Sequence, residues 1–178
     1  DDDTCRALVR ETSLTECTFV GPSRTADFRV RYFLASREIP FAGHPTLATA
    51  ASLAARGMVR EGRAVFETLA GPVPVEVDGE GLVTMTQKAP VFGEEVPEGI
   101  VAEVVGLTPG DFAAVPQIVS TGLPFCIAVL RDHAALRRAR LDIAALGRFR
   151  AQFGGAEAEV MEPFLVTLEG ATPRGSTF

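Results

Sequence analysis

The sequence contains few of the residues that bind metal ions or form disulfide frameworks. Of its 178 residues, two are histidine and three are cysteine, and no two cysteines stand in a Cys-x-x-Cys spacing. An odd number of scattered cysteines argues against a disulfide framework and a zinc site, and it is typical of a reducing cytoplasm. We therefore expect a cytoplasmic protein without a bound metal ion.

Other familiar signatures are also missing. No basic run opposes the net charge of −6, so nucleic acid and anionic membranes are poor partners. No apolar stretch is long enough to cross a bilayer without polar interruption. No Walker or dinucleotide-binding fingerprint occurs. No secretory leader is visible, although the chain starts without methionine.

The composition that remains is that of a folded α+β protein. Hydrophobic residues make up 47% of the chain, which is long enough for one ordinary domain or two small ones. A proline, a glycine and a shift to acidic residues at 88–93 predict a boundary between two domains, 1–89 and 90–178. Predicted strands are 15–20, 28–34, 64–70, 73–77, 82–87, 116–120, 125–130 and 160–168, and predicted helices are 4–12, 44–56, 98–105, 134–140 and 143–153.

The helix at 44–56 has the strongest local signal. A short extended run ends in glycine and is followed by His44, Pro45 and an alanine-rich segment without charge until Arg56. Proline suits the first turn of a helix, so we expect His44 as the N-cap. A helix that is small or apolar on every side is predicted to be buried, enclosed by sheet on all sides.

The N-terminus of this helix predicts a site for an anion. The unpaired N–H groups of Thr46 and Leu47, with the positive end of the helix dipole, would hold a carboxylate or phosphate beside the imidazole of His44. Without this context, a lone histidine is more often a capping or packed residue than a catalyst.

Glu16 is the main candidate for chemistry. It lies in the otherwise uncharged run 14–20, where a solvated acid would interrupt a strand suited to burial. A carboxyl group in a partly apolar cleft can accept and return a proton near neutral pH. The residues alone slightly favour an edge-strand glutamate facing water. Because adjacent strand residues face opposite sides, we expect Glu16 in the cleft and Cys17 in the core.

Thr121 and Gly122 lie in a predicted turn between the strands at 116–120 and 125–130. We expect this turn to bring backbone close to a cleft between the two domains. A glycine required only by the geometry of the turn explains the residues equally well.

Several segments resemble the PhzF-like isomerase family, named for an enzyme of phenazine biosynthesis. Gly-His-Pro-Thr at 43–46 before an alanine-rich helix resembles the family's hallmark, and the run at 10–20 resembles its ARE-x-N-L-S-E-T-T-F-V segment. Shorter matches follow at 29–33, 120–125 and 131–136, which resemble a strand, a glycine-proline turn and a V-R-D-x-A-A-L run of the family. The matches span nearly the whole chain.

The resemblance implies the diaminopimelate epimerase-like fold, an α+β architecture of two similar domains, each with a sheet wrapped around a central helix. The family's opening strand and its second strand-loop-helix motif have no counterpart here. The resemblance therefore implies an incomplete second domain, in a chain that is the middle of a longer protein or a naturally reduced one. It also implies a homodimer.

The same resemblance implies an enzyme that moves a proton on a small carboxylate-bearing metabolite between its two domains, without a cofactor. Glu16 would be the acid/base, and His44 would hydrogen-bond the substrate or relay a proton. The implied substrate-binding residues are Gly43, Thr46, Leu47, Thr121 and Gly122. Two alternatives stay open: a non-catalytic relative that binds a small acid or a partner, and a racemase or epimerase of the same fold that uses the thiol of Cys17.

Overall fold

The structure is a computed structural model that describes residues 1–154 and 162–170. Contacts between Cα atoms divide the chain into two compact units, Asp1–Lys88 and Ala89–Phe178. The domain boundary predicted after residue 89 lies one residue from this division. Among the described residues, no helix is both long and apolar enough to cross a membrane.

The first unit is a sheet with a helix packed on each face. The elements are α1 (Asp2–Thr12), β1 (Glu16–Gly21), β2 (Phe28–Leu34), β3 (Glu38–Ile39), α2 (Gly43–Ala55), β4 (Arg63–Thr68), β5 (Gly71–Val77) and β6 (Val83–Met85). The strands follow the order β1-β2-β4-β5-β6, and the short β3 pairs with β2. All neighbours are antiparallel except β2 and β4.

Alternation along β2 assigns the two helices to opposite faces. The Tyr32 hydroxyl contacts α2 through Thr46, whereas the neighbouring Arg31 contacts Asp2 of α1 at 2.8 Å. The carboxylate of Asp1 accepts a hydrogen bond from the N–H of Thr4 at 2.8 Å and caps α1. The first helix and the first two strands were thus predicted within two residues of their observed limits.

Helix α2 is covered by the sheet on one side. Its buried residues are Pro45, Thr46, Thr49, Ala50 and Leu53. Ala48, Ala51, Ser52 and Ala55 on the other side are exposed. The sequence predicted burial on every side because small residues carry little amphipathic signal, so periodicity could not separate the two sides. In the described residues, the sheet curls around one side of the helix.

The second unit is a four-stranded sheet with helices. Its elements are β7 (Val91–Glu95), α3 (Glu98–Val105), a 3₁₀ turn (Pro109–Asp111), β8 (Gln117–Ser120), β9 (Pro124–Leu130), α4 (His133–Arg138), α5 (Ile143–Phe153) and β10 (Pro163–Thr167). The strand order is β10-β9-β8-β7, with β10 parallel to β9. Cys126, Ala128 and Leu130 alternate into a core that they share with the helices. Asp132 and Asp142 cap α4 and α5 with their carboxylates.

Two differences from the prediction concern strands in this unit. The stretch at 88–93, read as a boundary, runs into β7, whose five residues are all exposed and therefore lack the alternation of a half-buried strand. The last strand was predicted from Val160, a residue outside the described part of the chain. Within the described part this strand is Pro163–Thr167.

Candidate active site

Glu16 and His44 come together where strand β1 and helix α2 begin. Glu16 is the first residue of β1 and His44 is the second residue of α2. Oε1 of Glu16 lies 3.3 Å from Nε2 of His44, and the two side chains are 12% and 80% exposed, respectively. A largely buried carboxylate is therefore in contact with an accessible imidazole, an arrangement suited to proton transfer.

Helix α2 begins one residue earlier than predicted. Its N-cap is Ala42, with φ −147° and ψ 131°, and not His44. The N–H of Thr46 donates to the carbonyl of Ala42 at 3.3 Å, and Leu47 also lies within the helix. Both N–H groups are therefore paired, and the prediction that they are unpaired is wrong. Because proline is tolerated throughout the first turn, the proline after His44 did not define the start. The N–H groups without an intrahelical acceptor include those of Gly43 and His44.

The side chain of Thr46 forms its hydrogen bonds inside the protein. Its hydroxyl donates to the carbonyl of Ala42 at 2.7 Å. A hydroxyl has only one hydrogen, so the Tyr32 hydroxyl must be the donor in its 2.6 Å contact with Oγ1 of Thr46. Both side chains are buried, and this chain of hydrogen bonds anchors the first turn of α2 to β2. The predicted contact of Thr46 and Leu47 with a ligand stays a prediction.

A cavity of about 610 Å³ adjoins the Glu16–His44 pair. Thr18 and Thr49 also border it, and their hydroxyl oxygens lie 2.8 Å apart. A cavity of this size can hold a small metabolite, with an apolar wall beside the carboxylate of Glu16 and the imidazole of His44. The apolar part of the wall is formed by Leu14, Val20, Pro45, Ala48, Leu53 and Met58.

Cys17 follows Glu16 in β1, and its side chain makes a different contact. Its Sγ lies 3.7 Å from Oγ1 of Thr12 at the end of α1, while Glu16 contacts α2. This is the alternation expected of adjacent strand residues. Cys17 is half-buried and borders the same cavity. The prediction that it lies in the core is therefore wrong.

Thr121 and Gly122 lie in the second unit, in the turn between β8 and β9. The φ of Gly122 is 147°, a conformation that favours glycine, and its N–H donates to Oγ of Ser120 at 3.1 Å. The predicted turn is confirmed. The role of these two residues in binding a ligand stays a prediction.

The hydroxyl groups of Thr18 and Thr49, which border the same cavity as the Glu16–His44 pair, were not predicted as part of the site, whereas Thr46 was. Thr18 stands two residues after Glu16, which places both on one face of β1. Thr46 and Thr49 are three residues apart, which places both on one face of α2. These two spacings are the signals in the sequence that could have identified them.

The ionisable groups of the site are few. Glu16 and His44 are in contact, and Arg56 borders the cavity beyond them. In residues 1–154 and 162–170, no group of three or more His, Cys, Asp or Glu side chains is arranged to hold a metal ion. A carboxylate with an imidazole can bind, accept and return protons.

Comparison with known proteins identifies sequences that are similar to this chain. A family model described as phenazine biosynthesis-like protein, PhzC-PhzF, matches residues 1–163. The uncharacterized isomerase YfhB of Bacillus subtilis is 29% identical over 144 residues, which cover 77% of this chain and 49% of that protein. The trans-2,3-dihydro-3-hydroxyanthranilate isomerase of Pseudomonas aeruginosa is 42% identical over 72 residues, 40% of this chain and 25% of that enzyme. The chain spans about half the length of the curated relatives it matches.

Solved structures give the same fold. A predicted epimerase from Pseudomonas aeruginosa superimposes with a TM-score of 0.72 at 30% identity, over 95% of this chain and 60% of that one. A hydroxyproline epimerase from Agrobacterium vitis superimposes with a TM-score of 0.58 over 90% of this chain and 50% of that one, and its 13% identity shows the fold alone. The diaminopimelate epimerase-like α+β fold expected from the sequence is therefore confirmed.

Proposed function

Because the chain belongs to the PhzC-PhzF family of phenazine biosynthesis-like proteins, we propose that it is an isomerase acting on a small carboxylate-bearing metabolite. The reaction is a proton transfer that shifts a double bond or a tautomer, and it uses no cofactor. Relatives named as isomerases support the reaction class. The observation that carries the mechanism is the contact between Glu16 and His44.

Glu16 is the acid/base of the proposed reaction. Its carboxylate takes a proton from a carbon of the substrate, and the electron pair of that C–H bond moves into the conjugated system. The protonated Glu16 then returns the proton at another carbon, so the substrate is neither oxidised nor reduced. A positioned general acid/base accelerates such a transfer by roughly 10²–10⁴-fold.

The start of helix α2 holds the acid group of the substrate. The N–H groups of Gly43 and His44 point out of the first turn, and the helix dipole adds a partial positive charge. The imidazole of His44 is close enough to share a proton with Glu16 or to hydrogen-bond the substrate. Thr121 and Gly122 remain predicted binding residues on the second unit.

The test is proton exchange in D₂O, followed by NMR on a panel of small cyclic acids and amino acids. The wild-type protein is compared with Glu16→Gln, which keeps the size of the side chain and removes its basicity. Glu11→Gln, on the exposed surface of α1, is the matched control. We expect exchange in the wild type and the control, and its loss in Glu16→Gln.

Exchange that persists in Glu16→Gln would exclude Glu16 as the acid/base. Exchange by none of the three proteins, with ligand binding still visible in the protein spectrum, would favour the non-catalytic relative that binds a small acid. A homodimer is proposed on the resemblance alone, and sedimentation velocity measures it directly.

A further inference from the structure

Among the described residues, two polar side-chain contacts join strand β1 to helix α2, and one of them involves the proposed acid/base. The first is the contact of Glu16 with His44. The second is a hydrogen bond between the hydroxyl groups of Thr18 and Thr49, with 2.8 Å between the oxygens. Thr49 is 6% exposed, so its hydroxyl has little access to water.

The two contacts join the same strand and the same helix. Glu16 and Thr18 are on the same face of β1, and His44 and Thr49 are on the same helix, little more than one turn apart. In the sheet of the first unit, as described, β1 is an edge strand that pairs only with β2. An edge strand has backbone support from one side only, so side-chain contacts influence how close it lies to the helix.

We propose that the hydroxyl pair of Thr18 and Thr49 sets the separation of β1 from α2 and thereby positions Glu16 against His44. The two threonines act through Glu16 and are positioning residues; neither takes part in the transfer of a proton. The kinetic consequence rests on the proposed function, whereas the structural consequence does not.

The size of the effect follows from contact distances. Two hydroxyl oxygens that share a hydrogen approach to 2.8 Å, whereas apolar carbons in contact stay about 3.5–4.0 Å apart. Replacing a threonine by valine, which has the same shape, therefore moves β1 away from α2 by roughly 1 Å. A displacement of about 1 Å in a catalytic site can lower the rate about 10²-fold.

The structural test uses the ring resonances of His44 in NMR spectra at one fixed pH. The chain has two histidines, so His44 is easily assigned and His133, in the second unit, is an internal reference. Glu16→Gln defines where the His44 resonances move when the neighbouring carboxylate is lost. We expect Thr49→Val and Thr18→Val to move the His44 resonances in the same direction, and His133 to stay unchanged.

Three further variants separate positioning from general stability. Thr49→Ser keeps the hydroxyl and should restore the wild-type position of the His44 resonances. Thr18→Val/Thr49→Val replaces both partners, leaves no buried hydroxyl unpaired, and should fold even where a single variant is unstable. Thr84→Val, on the exposed face of β6, should change nothing. His44 resonances that coincide with the wild type in the single and double valine variants would overturn the proposal.

The kinetic test follows on any substrate that the wild type turns over. We expect the valine variants to lower kcat by about 10–100-fold with KM little changed, because the chemistry and not the binding is misaligned. Thr49→Ser should recover most of the loss. A rise in KM of about 10–100-fold at constant kcat would contradict the positioning role of the two threonines. Displaced His44 resonances in a protein without proton-exchange activity would support the structural role and reject the proposed function.

Discussion

Thr46→Val is the substitution whose effect on stability the structure specifies most directly. The Tyr32 hydroxyl donates to Thr46 at 2.6 Å, and Thr46 donates to the carbonyl of Ala42 at 2.7 Å. Tyr32 and Thr46 are 1% and 0% exposed. Valine has the shape of threonine without its hydroxyl, so the substitution leaves the tyrosine hydroxyl buried without its acceptor.

The expected changes in the free energy of unfolding follow from which group donates and which accepts in these two hydrogen bonds. Thr46→Val should lower the free energy of unfolding by about 1–3 kcal/mol, because a buried donor loses its partner. Tyr32→Phe removes the donor itself and leaves the bond from Thr46 to Ala42 in place, so it should cost about 0.5–1.5 kcal/mol. The double variant should cost little more than Thr46→Val alone, which corresponds to a coupling of about 1 kcal/mol.

The assay is urea unfolding of the four proteins in this cycle, followed by circular dichroism. Thr84→Val is the matched control, since that threonine is exposed and its loss should stay within about 0.5 kcal/mol of the wild type. If the two single substitutions were additive within about 0.3–0.5 kcal/mol, the hydrogen bond between Tyr32 and Thr46 would contribute nothing, and the reasoning would be refuted.

Two further predictions concern groups that burial perturbs. Burial raises the pKa of the Tyr32 phenol above its ordinary value of 10.0. The free energy of unfolding should therefore be unaffected while the pH is below this ordinary pKa, and it should fall as the pH rises above it. The phenolate absorbance of this single tyrosine should appear at a higher pH than that of a free tyrosine. Burial also raises the pKa of the Cys126 thiol to about 12, so iodoacetamide should label the native protein on its two half-buried cysteines and spare Cys126. Labelling of Cys126 at a comparable rate would contradict its burial, and loss of activity on labelling Cys17 would favour the thiol-based alternative.

Local sequence signals were sufficient to predict the limits of three elements. The strand Phe28–Leu34 and the helices Glu98–Val105 and Ile143–Phe153 were predicted at their observed limits. In the first of these, β-branched and aromatic residues predominate. In the last, the carboxylate of Asp142 accepts a hydrogen bond from the N–H of Ala145 at 2.8 Å and marks the start of the helix.

Elements defined by distant partners were harder to predict. Strand β7 is exposed along its whole length, and it is a strand because it pairs with β8, through an irregular register. The N-cap of α2 was predicted at His44, two residues after the observed Ala42, because the extended backbone of Ala42 is a conformation that any residue adopts.

The sequence by itself predicted the α+β class, and its resemblance to the PhzF-like family indicated the two residues proposed for chemistry. Glu16 stands out as a lone acid in an apolar strand, and His44 stands out at the start of a small-residue helix. Only the tertiary structure decided that these side chains are 3.3 Å apart and that Thr18 and Thr49 form a hydrogen bond beside them. The physical reason is that such distances depend on how α2 packs against the sheet, and packing joins residues far apart in the chain that no local pattern relates.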